Sequence, residues 1–151
     1  MAIERTFAML KPDTVQRGLV GEVLGRLERK GFRIVALKLL KVTSEQAARH
    51  YEPHVGKPFY DGLVSYITSS PVVALVLEAP NAVDQLRTIL GATRPNEAAP
   101  GTIRGDLGVD ISNNLVHAAD SNENAARELA VYFSADELVS YARDSDKWLV
   151  S

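Results

Sequence analysis

Apolar and polar positions alternate between two periods along this chain. Thr6 to Leu10 is an apolar, β-compatible run that Pro12 ends, so it reads as a buried strand. From Leu19 to Lys30 the apolar residues are Leu19, Val20, Val23, Leu24 and Leu27, opposite Glu22, Arg26, Glu28, Arg29 and Lys30. That spacing predicts an amphipathic helix, with Gly31 placed to cap it. Phe32 to Val42 reads as a strand. Ser44 opens a helix that fades by Pro53, and Phe59 to Thr68 has helical spacing again. Val72 to Leu77 is an unbroken apolar run between turn signals, the pattern of a central strand covered on both faces. A helix follows Pro80-Asn81-Ala82 and stops at Gly91. Ala92 to Ser112, with Pro95, Pro100, Gly101, Gly105 and Gly108, shows little periodicity and reads as a long loop. Asn114 to Ala118 is the next strand. Ser121 caps a helix from Glu123 to about Tyr132, Ser134 caps a short one from Asp136 to Tyr141, and Trp148 anchors a tail.

Without the extra helices, this order is β-α-β-β-α-β. It predicts an α+β, ferredoxin-like sandwich with a mainly antiparallel four-stranded sheet, an inserted helical hairpin and a long loop. A doubly wound α/β sheet is the alternative. A length of 151 residues fits one domain, 1–151.

Composition narrows the function. With 17 Lys+Arg against 19 Asp+Glu, the net charge of -2 argues against dedicated nucleic-acid binding through a broad basic field. There is no Cys, which excludes disulfides and thiolate metal sites and suits the cytoplasm. The opening residues lack a long apolar segment and no run approaches a membrane span, so a soluble protein is expected.

Neither G-x-x-x-x-G-K-[ST] nor G-x-G-x-x-G occurs, so any phosphate site must be built from scattered groups. The candidates are Lys11 at a strand end, Arg87 on a helix, Thr93 just past it, and Arg104 near Gly101 and Gly105. Each cation by itself reads as a solvated surface charge. His117 is the one histidine in an expected strand; taken alone it reads as a packed side chain, and Glu128 on the next helix could orient it. His50 and His54 read as solvated, and three histidines without tight spacing make a weak metal site. Tyr51, Phe59, Tyr60 and Tyr66 on the inserted helices read as core, or as a platform for a base.

Five stretches, taken together, resemble the nucleoside diphosphate kinase family. They are Met9-Leu10-Lys11-Pro12-Asp13, Lys57-Pro58-Phe59, Gly91-Ala92-Thr93, Pro100 to Asp106 and Asn114-Leu115-Val116-His117. The resemblance runs from about Arg5 to Trp148. It implies a ferredoxin-like fold and ping-pong transfer of a γ-phosphate from a nucleoside triphosphate, typically ATP, to a nucleoside diphosphate. It makes His117 the phosphorylated nucleophile, oriented by Glu128 and flanked by Tyr51. Lys11 would contact phosphate and ribose, and Asn114 the ribose. Phe59 and Ile111 would hold the base, and Arg87, Thr93 and Arg104 the phosphates. Mg²⁺ would ride on the phosphates without a dedicated protein ligand. A base held by its faces is not identified by its edge, so broad base tolerance is expected. The family forms homo-oligomers, with a hexamer favoured here over a tetramer. One departure is plain: the family usually reads His-Gly-Ser-Asp where this chain has His117-Ala118-Ala119-Asp120. Losing one hydrogen bond to a charged group costs roughly 1.5–3 kcal/mol at most, so activity is expected to survive. The alternative is a catalytically weakened nucleotide-binding regulator of the same family.

Overall fold

The computed structural model describes residues 2–150. Four strands, β1 (Ile3–Leu10), β2 (Arg33–Leu40), β3 (Val72–Pro80) and β4 (Val116–Ala118), form one antiparallel sheet in the order β2-β3-β1-β4. Among the described residues seven α-helices accompany them: α1 (Pro12–Gln16), α2 (Val20–Lys30), α3 (Ser44–His50), α4 (Tyr60–Ile67), α5 (Ala82–Leu90), α6 (Ile103–Leu107) and α7 (Asn122–Tyr132). This is the split β-α-β-β-α-β sandwich that the pattern predicts, not a doubly wound sheet.

The alternation along β1 sorts the core into two layers. Ala8 and Leu10 face Val23 and Leu27 of α2 and Leu86 and Leu90 of α5. Phe7 and Met9 face Ala47 of α3, Ile67 of α4 and Val131 and Tyr132 of α7. Burial of both faces explains the continuous apolar runs of β1 and β3, the inner strands. α2 ends on Gly31 at φ 116°, the left-handed residue its C-terminus requires.

The structure moves several expected boundaries. β1 begins at Ile3, β2 stops at Leu40 rather than Val42, and β3 continues to Pro80. Pro12 to Gln16 is a short helix after Lys11, with Pro12 in its first turn, where a missing N–H costs nothing. The supposed loop from Ala92 to Ser112 contains α6, whose cap is the Thr102 hydroxyl accepting from Gly105 N–H. The expected helix Asp136–Tyr141 is a single 3₁₀ turn, Ala135–Glu137. Past it, Val139 N–H bonds Val35 C=O at 2.9 Å, so pairing along the sheet edge wins over a helix. Val35 is free to accept because a bulge between Ile34 and Ala36 takes it out of register with β3. β4 is shorter than expected, since Leu115 before it has φ 76° and is not extended.

Candidate active site

β4 pairs with β1 so that His117 lies opposite Met9. That register turns the His117 side chain away from the α2/α5 layer and toward α3 and α7, with the ring 6.2 Å from Phe7 and 4.8 Å from His50. Glu128 meets it from α7. That helix is capped by the Ser121 hydroxyl, and its buried stripe is Ala125, Glu128, Val131 and Tyr132. A carboxylate on a buried stripe needs partners. His117 Nε2–H donates to Glu128 Oε1 at 2.6 Å, and Arg127 Nη2 lies 3.5 Å from Glu128 Oε2. Arg127 also donates to the C=O groups of Arg49 and His50, tying α7 to the end of α3. With Nε2 committed to Glu128, the ring nitrogen left for a substrate is Nδ1.

The cleft over His117 encloses about 790 Å³ and is lined by Tyr51, His54, Arg87, Thr93, Arg104, Asp120, Arg127 and Glu128, among others. Lys11 and Asn114 do not line the cleft but connect to it by hydrogen bonds: Lys11 Nζ donates to Asn114 Oδ1 at 2.7 Å, and Asn114 Nδ2 donates to the C=O of Thr93, which does line it, at 3.0 Å. Burial, with Arg104 nearby, pulls the Lys11 pKa down to about 8. Arg104 is buried, and burial with Arg87 nearby brings it to about 10. These two cations are therefore held dry and close together, a costly arrangement that an anion between them would relieve. Arg104 also braces the backbone: its Nε, Nη1 and Nη2 donate to the C=O groups of Asn114, Gly91 and Val116. Three of the five N–H donors of a guanidinium are thus used, leaving two for a ligand. Arg87 and Thr93 are exposed on the cleft wall. Tyr51 is buried at its edge, and burial pushes its phenol up.

Phe59 and Ile111 do not line the cleft and are 50% and 39% exposed. Phe59 joins the cleft through His54, whose ring is 5.4 Å away, while Ile111 lies in the segment after α6. The structure thus lines one cavity with His117, Glu128, Tyr51, Arg87, Thr93 and Arg104, ties Lys11 and Asn114 to it through Thr93, and leaves Phe59 and Ile111 outside its lining.

His50 overturns its reading as a solvated residue: it is 2% exposed, at the floor of the cleft. The missed signal is helical spacing, since Ala47, His50 and Tyr51 form one buried stripe. The Tyr132 hydroxyl, with no other acceptor, donates to His50 Nδ1 at 2.7 Å, and His50 Nε2 has no partner. Burial, then the neighbouring His117 and Arg127, drives the His50 pKa down to about 2. His50, His117 and Glu128 could in shape hold an ion, with ligand atoms within 4.8 Å of one another. Two imidazoles and one carboxylate do not suit Mg²⁺, which prefers oxygen, and Lys11 and Arg127 beside them oppose any dication. Arg127 is the other residue that sequence reasoning missed, and nothing in its local pattern marks it.

Comparison with known proteins follows the same lines. The sequence profile of the family described as nucleoside diphosphate kinase matches residues 4–138. A nucleoside diphosphate kinase of Archaeoglobus fulgidus is 57% identical over 147 residues, covering 97% of each chain. One from Moorella thermoacetica is 59% identical over 138 residues, covering 91% of this chain and 99% of its own. Among solved structures, a halophilic nucleoside diphosphate kinase from Halobacterium salinarum in complex with CDP superposes with a TM-score of 0.95 at 49% identity, covering 99% of this chain and all of its own. A family protein from Babesia bovis gives 0.94 at 45% identity, covering 97% and 99%.

Proposed function

From the premise that this chain belongs to the nucleoside diphosphate kinase family and is a phosphotransferase of that class, we propose that His117 Nδ1 carries the phosphoryl group between the two nucleotides. The observation that carries this is the 2.6 Å bond from Nε2–H to Glu128, which fixes the tautomer and leaves the Nδ1 lone pair for attack. In the first half-reaction that lone pair attacks the γ-phosphorus. The bond from phosphorus to the β–γ bridging oxygen breaks, and the diphosphate leaves. In the second, a β-phosphate oxygen of the acceptor attacks the same phosphorus and the P–N bond breaks. Imidazole phosphorylated on Nδ1 with Nε2 protonated is cationic, so the Glu128 carboxylate stabilises the intermediate and the transition states on either side of it.

Phosphoryl transfer depends mainly on positioning and charge stabilisation. Arg87, Thr93 and the two free N–H groups of Arg104 hold the phosphates. Lys11 reaches phosphate and ribose, and Asn114, already bonded to Lys11, reads the sugar. The Tyr51 phenol borders the phosphorylated ring. Phe59 and Ile111 take the base between them by its faces. Enzymes of this family use a divalent cation. Mg²⁺ would come bound to the nucleotide phosphates and would supply charge neutralisation there, in a cleft whose lining includes the Asp84 and Asp120 carboxylates. No residue of this chain is assigned as its direct ligand.

Incubation with γ-labelled ATP and Mg²⁺ should give an acid-labile, alkali-stable phosphoprotein. The label should disappear in His117→Ala and be discharged by any nucleoside diphosphate. A wild-type chain that stays unlabelled sinks this reading. A weakened regulator would bind ADP without converting GDP to GTP. The structure gives that reading little support, because the Glu128 carboxylate finds His117 and Arg127 without a hydroxyl from Ala119.

The unit works as a homo-oligomer in this reading. β2 is an edge strand with Leu37 52% and Leu39 67% exposed, and such an edge favours pairing with a second copy. Val109 at 81% exposure, in the segment after α6, and Trp148 at 81%, in the tail, offer further contacts for a second copy, and the hexamer is the assembly proposed. A sedimentation mass near a tetramer's would overturn the hexamer. Among the described residues no helix is long and apolar enough to cross a membrane. The cysteine-free composition favours work in the cytoplasm.

A further inference from the structure

Leu115, two residues before the nucleophile, has a backbone that an L side chain rarely adopts. Its φ is 76°, and Val116 N–H bonds Asn114 C=O at 2.9 Å across it. That is a γ-turn of the left-handed-φ kind, rare and strained. A γ-turn points its central N–H and C=O outward, so both must find partners elsewhere. The Leu115 side chain is fully buried, so water cannot readily supply them.

All the partners come from one short segment. Leu115 C=O accepts from Lys11 N–H at 2.8 Å and from the Thr14 hydroxyl at 2.6 Å. Leu115 N–H donates to Asp13 Oδ2 at 3.1 Å. The other oxygen of that carboxylate, Oδ1, accepts from the Tyr66 hydroxyl at 2.5 Å, and the same hydroxyl accepts from Asp13 N–H at 3.3 Å. Tyr66 lies in α4, the helix that begins directly after Phe59.

We propose that Asp13 is a positioning residue for phosphoryl transfer. Its carboxylate, anchored by Tyr66, holds the γ-turn at Leu115 and so sets Asn114 on one side and His117 on the other. The strut also ties the helix behind the base-stacking Phe59 to the strand that carries the nucleophile. A chain without this strut relaxes at Leu115 and carries β4 with it. A displacement near 1 Å is enough to lower a positioned reaction by about a hundredfold. This rests on the reading of His117 as the phosphorylated residue.

The test is the rate of phosphorylation of the full chain by ATP in a single turnover, with the nucleotide dissociation constant measured beside it. Assays run at pH 6.5. Asp13 favours the Lys11 ammonium, whose pKa is about 8, so a pH below that value limits how far its removal disturbs the Lys11 charge. Asp13→Ala should slow phosphorylation by about a hundredfold and weaken ATP binding, through Asn114, by less than about tenfold. Asp13→Asn keeps a carbonyl for Leu115 N–H and an amide N–H to donate to the Tyr66 oxygen, so it should recover to within about fivefold of wild type. Tyr66→Phe should slow the step by about tenfold. The Asp13→Ala/Tyr66→Phe pair should be no slower than Asp13→Ala alone, because both cut one strut.

Asp13→Ala within threefold of wild type overturns the proposal, and so does Asp13→Asn as slow as Asp13→Ala. Multiplying effects in the double variant also overturn it. If Asp13→Ala does not fold, Tyr66→Phe at the wild-type rate is sufficient to overturn it. An unlabelled wild type would instead sink the reading of His117. A labelled wild type with unaffected variants sinks only the strut.

Discussion

The bond between His117 and Glu128 offers the sharpest quantitative test. Glu128→Gln keeps the side-chain volume and keeps an oxygen facing His117 Nε2–H, so the ring should hold its orientation and tautomer. What disappears is the negative charge, in a residue only 5% exposed, where solvent screens little. The 2.6 Å bond is of the charge-assisted kind, and such bonds contribute about 1.5–3 kcal/mol. The charge matters most once Nδ1 is bonded to phosphorus and the ring is cationic, so the loss falls on the transition state and the phosphoenzyme rather than on nucleotide binding. Single-turnover phosphorylation by ATP should slow by roughly ten- to hundredfold, and the fraction of phosphoenzyme at equilibrium should fall with it. The dissociation constant for ADP should stay within about twofold, because uniform binding is untouched. Rapid-quench measurement of acid-labile phosphate, with a parallel ADP titration, gives both quantities. A variant that is folded, binds ADP normally and is phosphorylated at the wild-type rate would refute the electrostatic role. Weakened ADP binding at an unchanged rate would refute it as well.

Three other outcomes follow from the same geometry. His50 is neutral in the folded chain, with its pKa pushed down to about 2, but takes a proton near pH 6.5 when unfolded. The unfolded state therefore binds the extra proton below pH 6.5, and stability should fall as pH falls, by about 1.4 kcal/mol per unit from this residue down toward pH 2. Urea unfolding of wild type and His50→Asn between pH 7 and pH 4 checks this; equal slopes would remove His50 from the account. Ala119 is fully buried, with its N–H bonded to Phe7 C=O. Ala119→Ser should therefore raise the phosphorylation rate, by up to about tenfold, if its hydroxyl reaches the His117–Glu128 pair, and should cost about 1–3 kcal/mol in denaturant stability if it does not. Phe59→Ala should raise the Michaelis constants for all nucleoside diphosphates together, by about five- to hundredfold, since a stacked base is worth about 1–3 kcal/mol. A loss confined to one base would show that the ring reads identity.

The elements legible in the sequence are those whose neighbours reinforce their pattern. β1 and β3 read correctly because inner strands must be apolar on both faces. α2 and α7 read correctly because each has a periodic stripe and a cap. His117, Glu128, Lys11 and Arg104 were reachable as candidates by residue type and place, but only the resemblance gave them a common purpose. The error over Asp136–Tyr141 has a tertiary cause. Local pattern does not say whether a backbone N–H will be paired by its own helix or by a distant strand, and at Val139 the β2 edge took it. Nor does it mark Leu115, because Gly is the usual signal for a positive φ and this chain has Leu there.

What the sequence by itself determined is the periodicity, hence the sandwich and the chemical types available to a site. What only the tertiary structure decided is which of those groups meet. The register of β4 on β1 turned His117 toward α7, and a buried stripe brought Glu128 to Nε2 rather than to Nδ1. Burial beside Arg104 pulls the Lys11 ammonium down to about 8, and burial beside His117 drives His50 down to about 2. The physical reason is that hydrogen bonds and desolvation act over a few ångströms in space, and Lys11 and Asn114, 103 residues apart along the chain, become neighbours only when the sheet forms.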